Sequence, residues 1–275
     1  MTARQRIFIY SEGRLERLDL IELWQRRDLA IELVLSDFRM RHRQTIIGIV
    51  WAFLQPFATV AVFSVLFGYF AKFPSNGVPY PLFLFSGYLI WSFFSRGVLA
   101  SVQGLTSNVP LVSKVYVPRA FLIMAPIATA AFELLISLVM LSVFYLYFTT
   151  LPPKTIVFYP FVLLFAVFVI LAVSFWLAPL NALLRDIQLT LPSALQLMFF
   201  ITPIVYPISL LPEWLQLLSY VNPMTAVIEA SRWCLTDAPP PSVIGFGISV
   251  VVVLMTLLPG TVFFATRVRV VADRI

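Results

Sequence analysis

The chain has 275 residues, 60% of them hydrophobic and 12% charged, with a formal net charge of +6. A soluble domain carries about a quarter charged residues and has too little interior to hide this much apolar surface, so the composition excludes an ordinary globule and describes a polytopic membrane protein. The basic balance does not point to nucleic acid: nine of the 19 Lys and Arg residues precede Ile46, and the rest sit mainly at the edges of apolar runs, as topology signals do.

Taken in order, MTARQR leads only into IFIY before SEGR, with no signal-peptide apolar region, so residues 1–46 are expected to be a cytosolic segment. Within it Leu20, Ile21, Trp24, Ile31, Val34, Leu35 and Phe38 recur at helical spacing between charges. That pattern predicts an amphipathic helix, either lying in the lipid headgroup layer or packed on a partner. Crossing a bilayer takes about 20 apolar residues, and such runs occur at about 47–71, 82–101, 121–148, 156–180, 191–208 and 243–266. Backbone polar groups in lipid must be satisfied within the segment, so the expected fold is all-α, with six transmembrane helices over 47–266. Pro-rich punctuation at 72–81, 151–154 and 237–241 separates several of them.

The stretch 209–235 is apolar but is interrupted by Pro212, Glu213, Asn222-Pro223, Glu229 and Arg232. It reads as short re-entrant or external gate-like helices rather than a seventh span. Six spans place fifteen basic residues on the cytosolic side, the 267–275 tail included, and only Lys72, Lys154 and Arg232 outside. A seventh crossing would put the basic tail outside, against the usual charge bias.

Much chemistry is absent. A Walker A loop needs a Gly-Lys-Ser/Thr sequence, yet of Lys72, Lys114 and Lys154 only Lys154 precedes a threonine, and it follows Pro153. His42 is the sole histidine and Cys234 the sole cysteine, and no nucleophile-elbow sequence occurs. No catalytic residue, metal site or cofactor is expected in this chain. Two charges fall inside spans: Arg96, which either snorkels to the interface or serves function, and Glu133, which faces a polar cavity or pairs with a partner. A proton-coupled flippase working through Glu133 is one alternative reading, and a structural scaffold is another. Among 26 Phe, 10 Tyr and 6 Trp, the residues Phe85, Trp91, Phe94 and Trp176 are candidates for lining a path on which sugars stack. Gln55 and Pro56 would be costly facing lipid, so they mark a buried kink or a channel wall.

Arg43-Gln44-Thr45, Gly48, Trp51 and Leu54-Gln55-Pro56, then NVPLVSKVYVPR at 108–119, LNALLRDIQ at 180–188, TPIVYP at 202–207 and Asn222-Pro223 resemble, in order and spacing, the ABC-2 type permeases that export polysaccharides. The O-antigen exporter subfamily is the nearest likeness, with capsule and teichoic acid permeases as relatives. The resemblance implies a homodimer in the bacterial inner membrane, both termini cytosolic, bound to two copies of a separate ABC ATPase that holds ATP and Mg. It also implies an undecaprenyl-diphosphate-linked glycan as cargo, threaded between protomers. On this sequence Arg41, Arg43 and Gln44 would receive the anionic headgroup, and Gln55 would line the channel. Leu111, Lys114, Tyr116 and Asp186, on short helices near 109–115 and 184–191, would meet the ATPase.

Overall fold

A computed structural model describes residues 25–42, 46–107, 118–148, 151–184 and 186–272; at 40–42, 46–53 and 269–272 only the backbone is described. Regular structure among these residues is entirely helical. In chain order the helices are α1 (Arg27–His42), α2 (Ile46–Phe63, continued by a π-helical turn Ser64–Phe70), α3 (Tyr80–Ser107) and α4 (Arg119–Tyr147). A short turn, Lys154–Phe158, leads into α5 (Tyr159–Leu183), followed by α6 (Asp186–Ile201), α7 (Glu213–Ser219), α8 (Pro223–Thr236) and α9 (Val243–Ala272). Helices α3, α4, α5 with its leading turn, and α9 are each long and apolar enough to cross a membrane; Leu54–Phe70 and α6 are shorter apolar helices.

Helix ends depart most from the apolar runs in three places, with polar contacts at each. Helix α3 runs beyond the expected end at 101 because the hydroxyls of Ser101, Thr106 and Ser107 donate to the carbonyls of Ile123 (2.9 Å), Gln103 (3.0 Å) and Gln103 (2.9 Å), which lets polar residues stay helical. Helix α9 continues past 266 to Ala272, and Arg119 donates Nη1 to the Val268 carbonyl at 3.0 Å. Helix α6 occupies Asp186–Ile201 rather than 191–208: Pro203 has no N–H to extend the ladder, and the Thr202 hydroxyl takes the Met198 carbonyl at 2.7 Å. Farther on, 209–235 divides into two short helices. Helix α8 starts where Asn222 accepts a hydrogen bond from the Met224 N–H at 3.1 Å and Pro223 occupies the first turn.

Helix α3 is the buried centre. It runs antiparallel to α4, with Phe85 stacked on Phe144 at 4.9 Å near one end, and parallel to α5, where Asn181 donates to the Val102 carbonyl at 3.2 Å. Helix α9 in turn follows α5, pairing Phe165 with Phe246 and Phe175 with Phe264. Helix α8 is inserted among α3, α5 and α9, and its Ala226, Val227, Ile228, Cys234 and Leu235 are inaccessible. Helix α1 packs along α4, Phe38 meeting the Phe132 ring edge-on at 4.9 Å, while a second apolar row, Ile31 and Leu35, stays about half exposed at 55% and 49%. The outward faces of α4 and α9 present Leu135, Val139 and Leu146, and Met255, Leu258 and Val262, to the surroundings. Large apolar side chains facing outward along a whole helix are the pattern of a surface that meets lipid.

The α3–α4 crossing is a backbone-to-backbone approach. Pro126 lacks the N–H that would have bonded the Leu122 carbonyl, so that oxygen is freed from the helix ladder. Gly104 sits against it: a Cβ there would come within 2.1 Å of the Leu122 oxygen. Close contact through a missing side chain is how helices associate where no hydrophobic drive separates them from lipid. We expect Gly104→Ala to destabilise the fold by about 1–3 kcal/mol, the usual cost of overpacking. Gly247→Ala, inside α9 with nothing within 4 Å of the new carbon, should not lower stability and should raise it slightly, since Ala favours the helix over Gly. Thermal unfolding of both variants in one detergent is the check.

Candidate functional site

Three helical stripes converge on a groove of about 430 Å³. On α3 the wall positions are 88, 91, 92, 95, 96 and 99; on α6 they are 192, 195, 196, 199 and 200; on α2 they are 55, 59 and 63. Each set follows the three-and-four spacing of one helix face, so the groove is a seam between helices rather than a loop assembly. Its aromatic part is a continuous cluster: Phe199 lies 5.7 Å from Phe63, 6.0 Å from Trp91, 6.5 Å from Tyr88 and 5.2 Å from Phe200. The polar part comes from Gln55, Thr59, Ser92, Ser95, Arg96 and Gln196. Rings beside amides and hydroxyls, with one cation among them, form a surface on which polyhydroxylated rings can stack and hydrogen-bond without a fixed register.

The residues singled out from sequence scatter differently. Gln55 and Trp91 meet in this groove, from α2 and α3. Pro56, next to Gln55, is buried within a helix that continues through it, and the Thr59 hydroxyl takes the Gln55 carbonyl at 2.9 Å. Phe85 is not on the wall: it is inaccessible, stacked on Phe144. Phe94 is buried behind Trp91, ring to ring at 5.3 Å. Trp176 lies elsewhere, with its indole N–H donating to the Thr256 carbonyl at 2.9 Å and its ring stacked on Phe263. These three aromatics face the interior or α9 because of where their helices turn, a matter residue type alone does not fix. Asp186 is exposed in the first turn of α6, where a carboxylate complements the helix dipole. Arg43, Gln44, Leu111, Lys114 and Tyr116 fall outside the described residues, and Arg41 is described by its backbone alone.

The two charges within spans are each other's partner. Arg96 Nη1 donates to Glu133 Oε2 at 2.7 Å across the α3–α4 contact, their side chains 30% and 16% exposed. Arg96 also lines the groove, so Glu133 holds the guanidinium against its wall from behind. Removing one partner of such a pair strands the other charge in a medium that cannot hydrate it. Arg96→Gln and Glu133→Gln should each lower thermal stability, and the double variant should lose less than the sum. A double-mutant cycle is expected to return a coupling of roughly 0.5–3 kcal/mol, the range for groups in direct contact.

A second polar cluster went unread in the sequence, where Glu229 and Arg232 counted only as interruptions and Arg232 as an outside charge. Arg232 is 3% exposed. Its Nη1 donates to the Pro203 carbonyl at 2.8 Å, its other amino group donates to Ile204, and its guanidinium lies 3.8 Å from the Phe83 ring centre. Burial pushes its pKa down to about 9, against the pull of nearby Glu229; burial likewise raises the Glu229 carboxyl, which accepts the Tyr220 hydroxyl proton. The available signal was the i, i+3 pair of opposite charges on an otherwise apolar helix, since an unpaired charge would not survive there. Lysine has one amine where arginine has a planar fork, so Arg232→Lys should fail to span both carbonyls. A loss of well-folded protein on size-exclusion chromatography, larger than that caused by Arg267→Lys, is the expected result.

Comparison with known proteins gives the same direction. The ABC-2 type transporter family matches residues 31–236. An "O-antigen export system permease protein RfbA" of Myxococcus xanthus is 30% identical over 211 residues, 76% of this chain and 80% of its own length. A protein of the same name from Klebsiella pneumoniae is 22% identical over 74% of this chain and 79% of its own. The "Polysialic acid transport protein KpsM" of Escherichia coli is 27% identical over 86% of this chain and 92% of its own. With the family match spanning most of the chain and covering the helices that form the groove, this protein belongs to the ABC-2 type transporter family.

Proposed function

We propose that the chain is the membrane-spanning permease of an ATP-driven exporter that moves a lipid-linked polysaccharide, of O-antigen type, across the bacterial inner membrane. The observation that carries this reading is the aromatic and amide-lined groove across α2, α3 and α6, a wall suited to stacked sugars, in a family whose matched relatives are named for O-antigen and polysialic acid export. In this reading α2 and α6 join the four longer helices as spans, giving six, with both termini cytosolic and α7 and α8 near the outer face. The groove would be closed by a second copy of the chain, against a side where Phe57, Leu197 and Ile201 stand exposed.

ATP hydrolysis would reside in a separate subunit, a reading with which the lack of a Walker A sequence in these residues agrees. Two copies of that ATPase would dock on the cytosolic ends, at Leu111, Lys114, Tyr116 and the exposed start of α6 at Asp186. Helix α1, with its second apolar row turned outward, would enter from the cytosolic headgroup layer and follow α4, where Phe38 meets Phe132. Arg41, Arg43 and Gln44 would draw in the undecaprenyl-diphosphate headgroup through charge-assisted contacts. A proton relay at Glu133 fits poorly, because its carboxylate is engaged by Arg96 at 2.7 Å.

Purification from native membranes in mild detergent should return the chain with a stoichiometric P-loop ATPase, and the bound glycan identifies the polymer as O-antigen or, instead, capsule or teichoic acid. Recovery of the chain alone under every mild condition would overturn the exporter reading. Phe200→Ala and Tyr88→Ala should each slow export by roughly two- to tenfold, the worth of one stacking contact, with ATPase assembly intact. Arg43→Glu should abolish export and also leave assembly intact.

A further inference from the structure

Beyond the groove lies a second cavity of about 510 Å³, within the range of about 300–1,000 Å³ typical of small-molecule sites. Its wall includes Phe83 from α3, Glu213 and Gln216 from α7, Tyr220, and Glu229 and Arg232 from α8. The cavity adjoins the groove along the chain: residues 199 and 200 end the groove wall, the Pro203 and Ile204 carbonyls are gripped by Arg232, and residues 207–209 already line the cavity.

The polar atoms define what it can hold. Arg232 commits one N–H of each amino group to a backbone carbonyl and is 3% exposed, so it presents no open fork to a phosphate or carboxylate. Glu213 and Glu229 add negative charge, which repels an anion further. What remains is a set of single, separated partners. Arg232 Nε is buried without a hydrogen-bond acceptor. Gln216 donates its amide N–H to the Leu211 carbonyl at 2.7 Å and keeps its oxygen to accept. The carboxylate of Glu229 accepts from Tyr220 through one oxygen, leaving the other. Scattered single acceptors beside the exposed Leu217, backed by the buried Phe83 and Arg232, complement a ring whose hydroxyls donate and whose faces are apolar.

We propose that this cavity is a binding subsite for neutral sugar residues of the exported glycan, distinct from the groove. It rests on the exporter reading and makes it more specific, since it selects uncharged over acidic sugars. The test is saturation-transfer NMR on the chain with its co-purified subunits in lipid nanodiscs, using maltose and lactose as neutral probes and an α2,8-linked sialic acid dimer and inorganic phosphate as anionic ones. Measured in a Phe200→Ala background, which weakens stacking in the groove, transfer from a neutral disaccharide is expected to persist, with about fivefold weaker binding when Gln216→Ala is added, the loss of one hydrogen bond. Glu213→Gln, at an exposed position, should show the same direction of loss, which separates a lost contact from a folding defect. No transfer from any sugar, preference for the sialic acid dimer or phosphate, transfer unaffected by Gln216→Ala in that background, or displacement by phospholipid alone would overturn the subsite. Those outcomes leave the exporter reading standing wherever the ATPase co-purifies and Phe200→Ala slows export.

Discussion

A guanidinium with two backbone carbonyls in its fork is the contact on which the rest of the molecule turns. Helix α6 has to stop at Ile201 because Pro203 offers no N–H, and stopping there exposes carbonyls in a setting where no water is at hand to satisfy them. Arg232 supplies the missing donors at Pro203 and Ile204. The same contact holds α8 inside the bundle and fixes the end of α6, whose Phe199 and Phe200 sit one turn earlier on the groove wall. Gly87 makes room for it: a Cβ there would stand 3.1 Å from the Arg232 amino group. Neighbouring side chains extend the pattern, Tyr80 donating to the Val205 carbonyl at 2.6 Å and Asn222 to the Thr202 hydroxyl at 2.8 Å.

The rule recurs through the bundle. Where Pro126 frees the Leu122 carbonyl, Gly104 brings a neighbouring backbone against it, and Ser101 takes the next carbonyl, of Ile123. Where α3 and α4 each carry a charge, the charges meet. In each case a feature that would be a liability facing lipid becomes a joint between helices. The joints cluster on α3, so the helix that contributes most to the groove is also the best anchored.

Much of this was legible in the sequence and some was not, for reasons that can be named. Apolar run length located the long helices, because lipid demands length above all. Their ends were less legible, since Ser101, Thr106 and Ser107 stay helical by bonding backbone oxygens, which hydropathy does not register. Arg96 and Glu133 were visible as intramembrane charges, and their pairing was within reach. Arg96 lies sixteen residues from Tyr80 and Glu133 fourteen from Tyr147, so antiparallel helices sharing that end put them at similar depth. The stripe 88–91–92–95–96–99 was also present as a period. Choosing it over Phe85 and Phe94 required knowing which face of α3 is covered by α4 and α8. The partners of Arg232 are backbone atoms nearly thirty positions away, and no residue pattern announces a carbonyl.

The central claim is that the groove across α2, α3 and α6 carries the glycan. A photo-crosslinking phenylalanine analogue placed at Phe200, on the groove wall and 48% exposed, tests it most directly against the same analogue at Met255, on α9 and 71% exposed. In exporting cells, light should attach glycan to the chain at position 200, dependent on a working ATPase, and only lipid at position 255. Glycan attached equally at both positions, or at neither, would contradict the account.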